Sequence, residues 1–557
     1  MALPLDDIDR ELASAGPGDR REPAFLAASR TDPRFWPELL EAQAACLSAP
    51  AKSMLGCGYD LFHDAVLRHR ARRSTALGWF EQGSGWRELS FEELALWVNA
   101  RARAWRQAGA VKGQTLAVVR PFGPEAILSL FAAFRLGLVP SIMPPCGAGR
   151  LQHRLERLLP AHVDCAPAET PLLGAWRARR LPSAPPSAGS GAAPEASNSY
   201  AAGSVALRVF DPAGACPDVP VDVAADALFL GAVRDGLIAL GLRPGTGLLG
   251  AALPTAAQPA LLLACLMNGA PYFHLDAADL ERDRALLAGP QARVLVLGGP
   301  PQEASPVDLR GRYACWYRGA GEQGDAASWQ AFTAAAHLEG ELSGAIRFSA
   351  PLGSLALFSA RSRAPVSAAF FPSPGVKVKV VDGQGGTAMT GAGTLALAPP
   401  GGETLVATEN QVLLQGGTVL FAGPRYPGRG GETFPRAEVL SAVDCLEGDT
   451  RASLVEVPLA KGHSFDLLLF TGAIAKDAPR LEAEARAIVA EAVGGGWLPD
   501  RVRVYPLFAR TKDGKVDHLW CREQYLTGAL DRRSRSPVQA ALTSLRAALG
   551  LGLSADS

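Results

Sequence analysis

An apolar strand, a helix and a second apolar strand follow one another between residues 115 and 143. Thr115–Val119 is almost continuously apolar, which is typical of a strand buried on both faces of a parallel sheet. Residues 124–137 carry apolar side chains at helical spacing and end in glycine, and Val139–Met143 predicts the next strand. Because neighbouring parallel strands need a crossover helix, this order predicts an α/β layered fold.

The residues before this unit predict a hairpin and a capped helix. Ala76–Phe80 and Gly85–Leu89 are apolar runs on either side of a Gly-Ser-Gly turn, which is typical of two short strands. Ser90 and Glu93 have capping-box spacing, so the serine oxygen can accept the free N–H at the third helical position. The helix behind this cap is predicted to continue to Gly109.

Composition excludes several classes of protein. The 557 residues are enough for two to four domains, and the 55 Lys plus Arg balance the 55 Asp plus Glu, which gives no electrostatic reason to propose a nucleic-acid partner or an anionic membrane. The nine cysteines include no Cys-x-x-Cys pair, which argues against a zinc site or disulfide framework and fits a reducing cytoplasm. The acidic N-terminus does not resemble a secretory signal. Prolines interrupt the most apolar window, residues 248–273, so we predict buried core there and no membrane span.

A glycine turn near the C-terminus presents a lysine. Arg501–Tyr505 alternates as a short strand, and residues 512–514 predict a turn because Asp-Gly tolerates positive φ. Lys515 follows this turn directly, where a flexible ammonium can act as a point charge for a phosphate or a carboxylate. An exposed loop lysine is the alternative interpretation.

The sequences Leu-Pro-Asp-Arg-Val at 498–502 and Thr-Lys-Asp-Gly-Lys-Val-Asp at 511–517 together resemble the closing motif of the adenylate-forming superfamily. That superfamily holds acyl-CoA synthetases, fatty acyl-AMP ligases, nonribosomal-peptide adenylation domains and luciferases. Further similar segments are Leu-Ser-Phe-Glu-Glu-Leu at 89–94 and Pro-Gly-Val-Lys-Val-Lys-Val-Val-Asp-Gly at 374–383. The resemblance implies that Lys515 enters the active site and contacts the carboxylate and α-phosphate during adenylation.

The resemblance also implies the architecture. We expect an α/β fold with a large multi-subdomain N-terminal region, made of layered α/β sheets plus a small β-barrel, and a small C-terminal α+β domain. The expected parts are an N-terminal extension at 1–57, a large AMP-binding-like domain at 58–424, the small domain at 425–530 and a tail at 531–557. The Pro/Ala/Ser/Gly segment at 181–204 predicts a mobile loop inside the large domain, since it cannot bury enough apolar surface to offset its ordering entropy.

The expected phosphate loop departs from the family pattern. Members carry a Gly/Ser/Thr-rich loop with a lysine after a strand that corresponds to Ala206–Phe210, and its backbone N–H groups cradle phosphate. In this chain the lysine position holds Asp218, and Gly214 alone remains of the family's glycines. Pro212 removes a backbone donor, and Asp211 and Asp218 predict repulsion of a triphosphate.

Other family positions are altered as well. The segment from Phe358 to Ser362 aligns with Tyr-Gly-x-Thr-Glu, which makes Phe358 the candidate for stacking on adenine and places Ser362 where a glutamate ligates Mg²⁺. Asn410 stands for the ribose-binding aspartate, and Arg425 belongs to a Pro-rich version of the hinge. Leu253–Ala257 lacks the family's aromatic residue and histidine. We predict no resident metal ligand.

These observations support two hypotheses. In the first, the protein is a divergent AMP-dependent synthetase homologue, impaired in adenylation, that binds an acyl ligand or a protein as a scaffold; thioester binding without adenylation stays open beside it. In the second, it is an active ligase that uses ATP and Mg²⁺ to convert a carboxylic acid to acyl-AMP, then to a thioester with CoA or a carrier protein. There Lys515 acts on the carboxylate, and Gly430, Gly431 and Glu432 form a loop of the small domain.

Overall fold

The computed structural model describes most of the chain. Its described residues are 4–14, 23–47, 50–56, 58–182, 197–211, 218–301, 306–319, 326–363, 369–382, 385–400, 404–424, 428–429, 432–444, 446, 450–459, 463–471, 478–507, 509–512 and 515–534. Most of the expected mobile loop at 181–204 lies outside them, as does the tail beyond residue 534.

Three helices open the chain and pack on the main body. They are α1 (Leu5–Ser14), α2 (Ala24–Thr31) and α3 (Phe35–Leu47). On α3, Leu39, Ala42 and Leu47 are buried, and Leu40 packs against the same core while partly exposed.

The next segment contains the predicted β-α-β unit. Its elements are α4 (Leu61–Ala65), β1 (Thr75–Glu81), β2 (Gly85–Ser90), α5 (Phe91–Gln107), β3 (Thr115–Val119), α6 (Pro124–Leu136), β4 (Val139–Met143), α7 (Ala148–Leu158) and β5 (His162–Cys165). Strands β4, β3 and β5 form a parallel three-stranded sheet in that order. The predicted capping box between Ser90 and Glu93 is confirmed, and α6 ends at Gly137 in the left-handed conformation as predicted.

The middle of the chain supplies a short hairpin and six strands of a second, larger sheet. The elements are β6 (Val205–Phe210), β7 (Pro220–Ala224), α8 (Ala225–Arg234), β8 (Gly247–Ala251), α9 (Gln258–Met267), β9 (Tyr272–Leu275), α10 (Ala277–Arg282), β10 (Ala292–Leu297), β11 (Cys315–Arg318), α11 (Ala326–Ala335), β12 (Ser343–Ser349) and β13 (Ser354–Phe358). Strands β9, β8, β10, β11 and β12 pair in parallel, and helix α8 continues into a π-helical turn at Asp235–Ala239.

An antiparallel segment extends the large sheet. It comprises β14 (Ala369–Pro372), β15 (Lys377–Val381), β16 (Thr387–Ala388), β17 (Gly391–Ala398), β18 (Val406–Gln415) and β19 (Thr418–Pro424), followed by the small pair β20 (Gly428–Arg429) and β21 (Glu432–Thr433). The 14-stranded sheet runs in the order β16-β15-β17-β18-β19-β14-β13-β12-β11-β10-β8-β9-β1-β2. Strands β15 and β17 pair antiparallel, from Lys377 opposite Ala398 to Val381 opposite Thr394.

A separate sheet and its helices form what we call the C-terminal domain. Its elements are α12 (Arg436–Val443), β22 (Arg451–Pro458), β23 (His463–Phe470), α13 (Ala478–Val493), β24 (Arg501–Tyr505), β25 (Thr511–Lys512), β26 (Lys515–Val516), α14 (His518–Leu526) and α15 (Ala529–Ser534). Strand β23 pairs antiparallel with β22 and parallel with β24. The core stacks Phe434 on Phe465 with ring centroids 4.0 Å apart.

The expected fold class is thereby confirmed: a large mixed α/β sheet region precedes a small C-terminal sheet domain. The exact domain boundaries stay predictions. Among the described helices, each is too short or too polar to cross a bilayer.

Candidate functional site

The hairpin of β6 and β7 lies where the phosphate loop was expected. The two strands pair antiparallel, with Phe210 opposite Pro220, and the connecting residues 212–217 lie outside the described part of the chain. Asp218, which occupies the expected lysine position, stands just before β7 and is 3% exposed. A carboxylate this deeply buried needs a charged partner or hydrogen-bond donors.

Two arginines of α7 supply that partner. Oδ1 of Asp218 accepts hydrogen bonds from Nε of Arg150 at 3.0 Å and from Nε of Arg154. Both arginines are buried, and their spacing of four residues places them on one face of the helix. The Arg150 guanidinium also lies 5.3 Å from the ring centroid of Trp497, and that of Arg154 lies 5.0 Å from the ring centroid of Phe210. The charge of Asp218 is thus neutralised within the protein.

A second carboxyl group meets Asp218 from the C-terminal domain. The carboxyl group of Glu438 on α12 lies beside that of Asp218, where the two can share a hydrogen bond if one of them is protonated. Burial, and then the hydrogen bond and negative charge of Asp218, raise the pKa of Glu438 to about 7. Burial alone would raise the pKa of Asp218, but the positive charges of Arg154 and Arg150 outweigh burial and hold it below its ordinary value. Near neutral pH, Asp218 is ionised and Glu438 carries a proton for part of the time.

The four charged groups lie at a tight contact between the two domains. Gly147, immediately before α7, approaches the end of α13 so closely that an added Cβ would lie 2.5 Å from backbone nitrogens of Val493 and Gly494. Any larger residue at position 147 would therefore push the domains apart. We call Arg150, Arg154, Asp218 and Glu438 the interdomain charge cluster.

The predicted adenine-stacking residue lies in the core. Phe358 ends β13, is 1% exposed, and packs edge-to-face on Phe371 with ring centroids 6.4 Å apart. Stacking on a nucleotide would require its ring to leave this packing. The role of Phe358 stays a prediction.

The residues after Phe358 are tied to the N-terminal helix. Nη1 of Arg361 is 2.9 Å from Oδ1 of Asp9, and its backbone N–H donates to the Leu12 carbonyl at 2.9 Å. Ser362, which stands where the family's metal-ligating glutamate was expected, exchanges two backbone hydrogen bonds of 2.8 Å with Ser343. Helix α1 therefore helps to hold this segment, a contact that the sequence did not predict.

The other candidate nucleotide residues are spread along the chain. Asn410 lies on β18 opposite Pro424, and its Nδ2 is 3.4 Å from Oγ1 of Thr408. Strand β18 is separated from the Phe358 strand by β19 and β14. Arg425, Gly430 and Gly431 lie outside the described residues. The backbone of Glu432 pairs with Arg429 in the β20–β21 ribbon.

Lys515 is placed by its backbone. It begins β26 and pairs with Lys512 across the short β25–β26 hairpin, while the turn residues 513 and 514 lie outside the described part. Asp517 then caps α14 by accepting the Trp520 N–H at 3.0 Å. The hairpin thus belongs to the C-terminal domain, as the sequence predicted, and the catalytic role of Lys515 stays a prediction.

The described residues around Asp218 fit a nucleotide triphosphate poorly. At Asp218 two arginines already hold a carboxylate of the protein, so an incoming phosphate would have to displace it. Within the described ranges, no group of three or more His, Cys, Asp or Glu side chains is arranged to hold a metal ion.

Leu253–Ala257 forms the connection into α9, where Nε2 of Gln258 donates to the Leu253 carbonyl at 2.8 Å.

Sequence reasoning missed most of the interdomain charge cluster. It singled out Asp218 but not Arg150, Arg154 or Glu438. A usable signal was present, because two arginines four residues apart on a helix form one cationic face.

No known family model and no curated protein matches the sequence, whereas solved structures do. The amide bond synthetase of Marinactinospora thermotolerans superposes with a TM-score of 0.63 at 17% identity, covering 84% of this chain and 99% of its own. The o-succinylbenzoate CoA synthetase of Bacillus subtilis gives a TM-score of 0.64 at 14% identity, covering 84% and 98%. ATP-bound MatB of Rhodopseudomonas palustris gives 0.56 at 17% identity, covering 84% and 99%. The chain therefore has the fold of the adenylate-forming enzymes.

Proposed function

We propose that this protein has the fold of the adenylate-forming enzymes but does not use ATP. It acts as a scaffold that binds an acyl ligand or a partner protein. The observation that carries the proposal is the buried Asp218, held by Arg150 and Arg154 where members of the fold are expected to hold phosphate. A triphosphate would have to displace this internal carboxylate from the two arginines that neutralise it.

The second observation in support is the N-terminal helix. The segment that aligns with the metal-binding motif is secured through Arg361 to Asp9, and it carries serine at position 362 where Mg²⁺ would need a carboxylate. Loss of one charged contact to a transition state costs about 3–4 kcal/mol, so several losses together would leave little adenylation.

ATP–pyrophosphate exchange tests the proposal. The purified chain is incubated with Mg-ATP, labelled pyrophosphate and a panel of fatty, aromatic and amino acids, with the Bacillus subtilis synthetase and o-succinylbenzoate as the positive control. We expect exchange at background level with every acid. Exchange that depends on one acid would contradict the proposal.

Ligand binding tests the second part of the proposal, that the protein binds an acyl ligand. The relative from Bacillus subtilis is described with a bound CoA product analogue, and that chemistry suggests acyl thioesters as the first ligands to try. We expect a panel of acyl-CoA thioesters to include one that raises the melting temperature saturably, since a ligand that binds only the folded state stabilises it by mass action.

An active ligase is the second candidate, and the β25–β26 hairpin favours it. This hairpin keeps Lys515 directly after the turn, as the closing motif requires, and the fold spans nearly the full length of the ATP-bound relative. In this reading ATP and Mg²⁺ are bound by a remodelled site. Lys515→Ala should then lower the rate of ATP–pyrophosphate exchange by about 100-fold or more, whereas the matched Lys512→Ala should change this rate little.

A further inference from the structure

The interdomain charge cluster joins two carboxyl groups that belong to different domains. We propose that Asp218 and Glu438 form a proton-controlled latch: protonated Glu438 holds the C-terminal domain against α7, and ionised Glu438 loosens it. This inference goes beyond the proposed function because it needs no nucleotide, acyl ligand or partner.

The hydrogen bonding of Asp218 is the first support. Its Oδ1 accepts from both arginines, whereas its buried Oδ2 receives no hydrogen bond from the described residues. A protonated Glu438 is the donor that can satisfy this oxygen. An ionised Glu438 leaves it unsatisfied and brings two negative charges together, which disfavours the contact.

The surroundings of Glu438 give it little other compensation. Arg150 and Arg154 face the pair from α7 and donate to Asp218, and the positive charge of Arg150 offsets part of the rise in the pKa of Glu438. On α12 itself, Arg436 donates to the Leu454 carbonyl of β22. The remaining neighbours, α13 and β22, contribute apolar side chains to the same core as α12, namely Ala485, Val489, Val493, Ala452 and Leu454. The proton on Glu438 is therefore the variable charge at this contact.

The pH window follows from the direction of the shift. The pKa of Glu438 is raised from 4.5 to about 7 by burial and by Asp218, so docking binds a proton. The stabilisation is complete below about pH 4.5, falls as the pH rises, and is lost above about pH 7. Asp218 stays ionised across this window because its pKa is lowered.

Hydrogen exchange of the free protein tests the latch. Protection factors, corrected for intrinsic exchange rates, are measured at pH 5.5 and pH 8 in peptides that cover α7 and α12, with β3 as the internal reference. The variants are Glu438→Gln, which keeps a neutral donor at every pH, and Glu523→Gln, a matched charge removal at an exposed position of α14.

In the wild type and in Glu523→Gln we expect protection of α7 and α12 to fall by about 10-fold between pH 5.5 and pH 8, less than the full pKa shift allows because Glu438 is partly exposed. In Glu438→Gln we expect high protection at both pH values. Equal protection at both pH values in the wild type, or the same fall in Glu438→Gln, would overturn the latch. Loss of the pH dependence in Glu523→Gln would overturn it as well.

Discussion

Two buried aspartates of this protein are both held by arginine, yet their settings differ. Asp164 on β5 is 1% exposed. Its Oδ2 accepts hydrogen bonds from Nε of Arg120 at 2.9 Å and from Oγ of Ser129 at 2.5 Å, and its Oδ1 accepts one from Nη2 of Arg120 at 2.8 Å. Oδ1 of Asp218 accepts hydrogen bonds from two arginines, and the carboxyl group of Glu438, from the C-terminal domain, lies beside Asp218. Both carboxylates are neutralised, but only the partners of Asp218 span a domain contact.

The difference separates a structural ion pair from an adjustable one. Both oxygens of Asp164 have donors, and the pair stays within the β4-β3-β5 sheet and its helix α6. Around Asp218, both arginines donate to Oδ1, and Glu438 can donate to Oδ2 only when it is protonated. We infer that the ion pair of Asp164 and Arg120 stabilises the fold, whereas the interactions of Asp218 change with the protonation of Glu438.

The largest effect is expected from Asp164→Ala. This change leaves the Arg120 guanidinium buried without its partner, and breaking a buried ion pair on one side costs about 3–5 kcal/mol. Urea unfolding followed by circular dichroism measures the loss. Asp222→Ala, at the exposed partner of Arg208, is the matched control and should cost no more than about 1 kcal/mol. Equal losses in the two variants would show that burial does not distinguish these pairs.

Asp218→Ala should cost less and should remove the fall of protection between pH 5.5 and pH 8. Without Asp218, Glu438 is the carboxyl group left to face Arg150, so its pKa should fall and part of the lost interaction should be replaced. We expect a loss of about 1–3 kcal/mol. Protection of α7 and α12 should then rise with pH only up to about pH 4.5 and stay level between pH 5.5 and pH 8, because a lowered carboxyl pKa adds stability that is complete above the unfolded value. If protection of α7 and α12 fell with pH in this variant as it does in the wild type, the pH dependence could not be assigned to the Asp218–Glu438 pair.

The smallest effect concerns the aromatic partner of Arg150. Trp497→Leu keeps apolar volume but removes the ring that lies 5.3 Å from the guanidinium, and we expect it to lose about 1 kcal/mol more than Trp497→Phe, which keeps an aromatic face. Urea midpoints of the two variants give the difference. Identical midpoints would mean that Trp497 acts only as an apolar surface.

The same contrast separates what the sequence predicts from what it does not. Strands β3, β4 and β24 occupy the predicted residues because their apolar or alternating runs are local signals. The Ser90 cap is equally local, since its partner is three residues away. The partners of Asp218 lie 64 and 68 residues before it, and their orientation depends on how α7 packs.

The sequence therefore predicted that Asp218 would repel phosphate but not that the protein neutralises this charge itself. The pairing with Glu438 depends on how two domains meet, and no periodicity in either segment encodes that contact. The adenylate-forming fold could be predicted because short motifs keep their order along the chain, although identity to the solved relatives is only 14–17%.

Titration with Mg-ATP, followed by thermal unfolding, decides whether the Asp218 ion pairs have replaced a nucleotide phosphate site. A stable acyl-sulfamoyl adenylate analogue serves as a second ligand and Mg²⁺ alone as the blank. We predict an unchanged melting temperature up to millimolar ligand, because Arg150 and Arg154 are already occupied. A saturable rise of several degrees with Mg-ATP or the analogue would contradict this, since it would demonstrate a working nucleotide site.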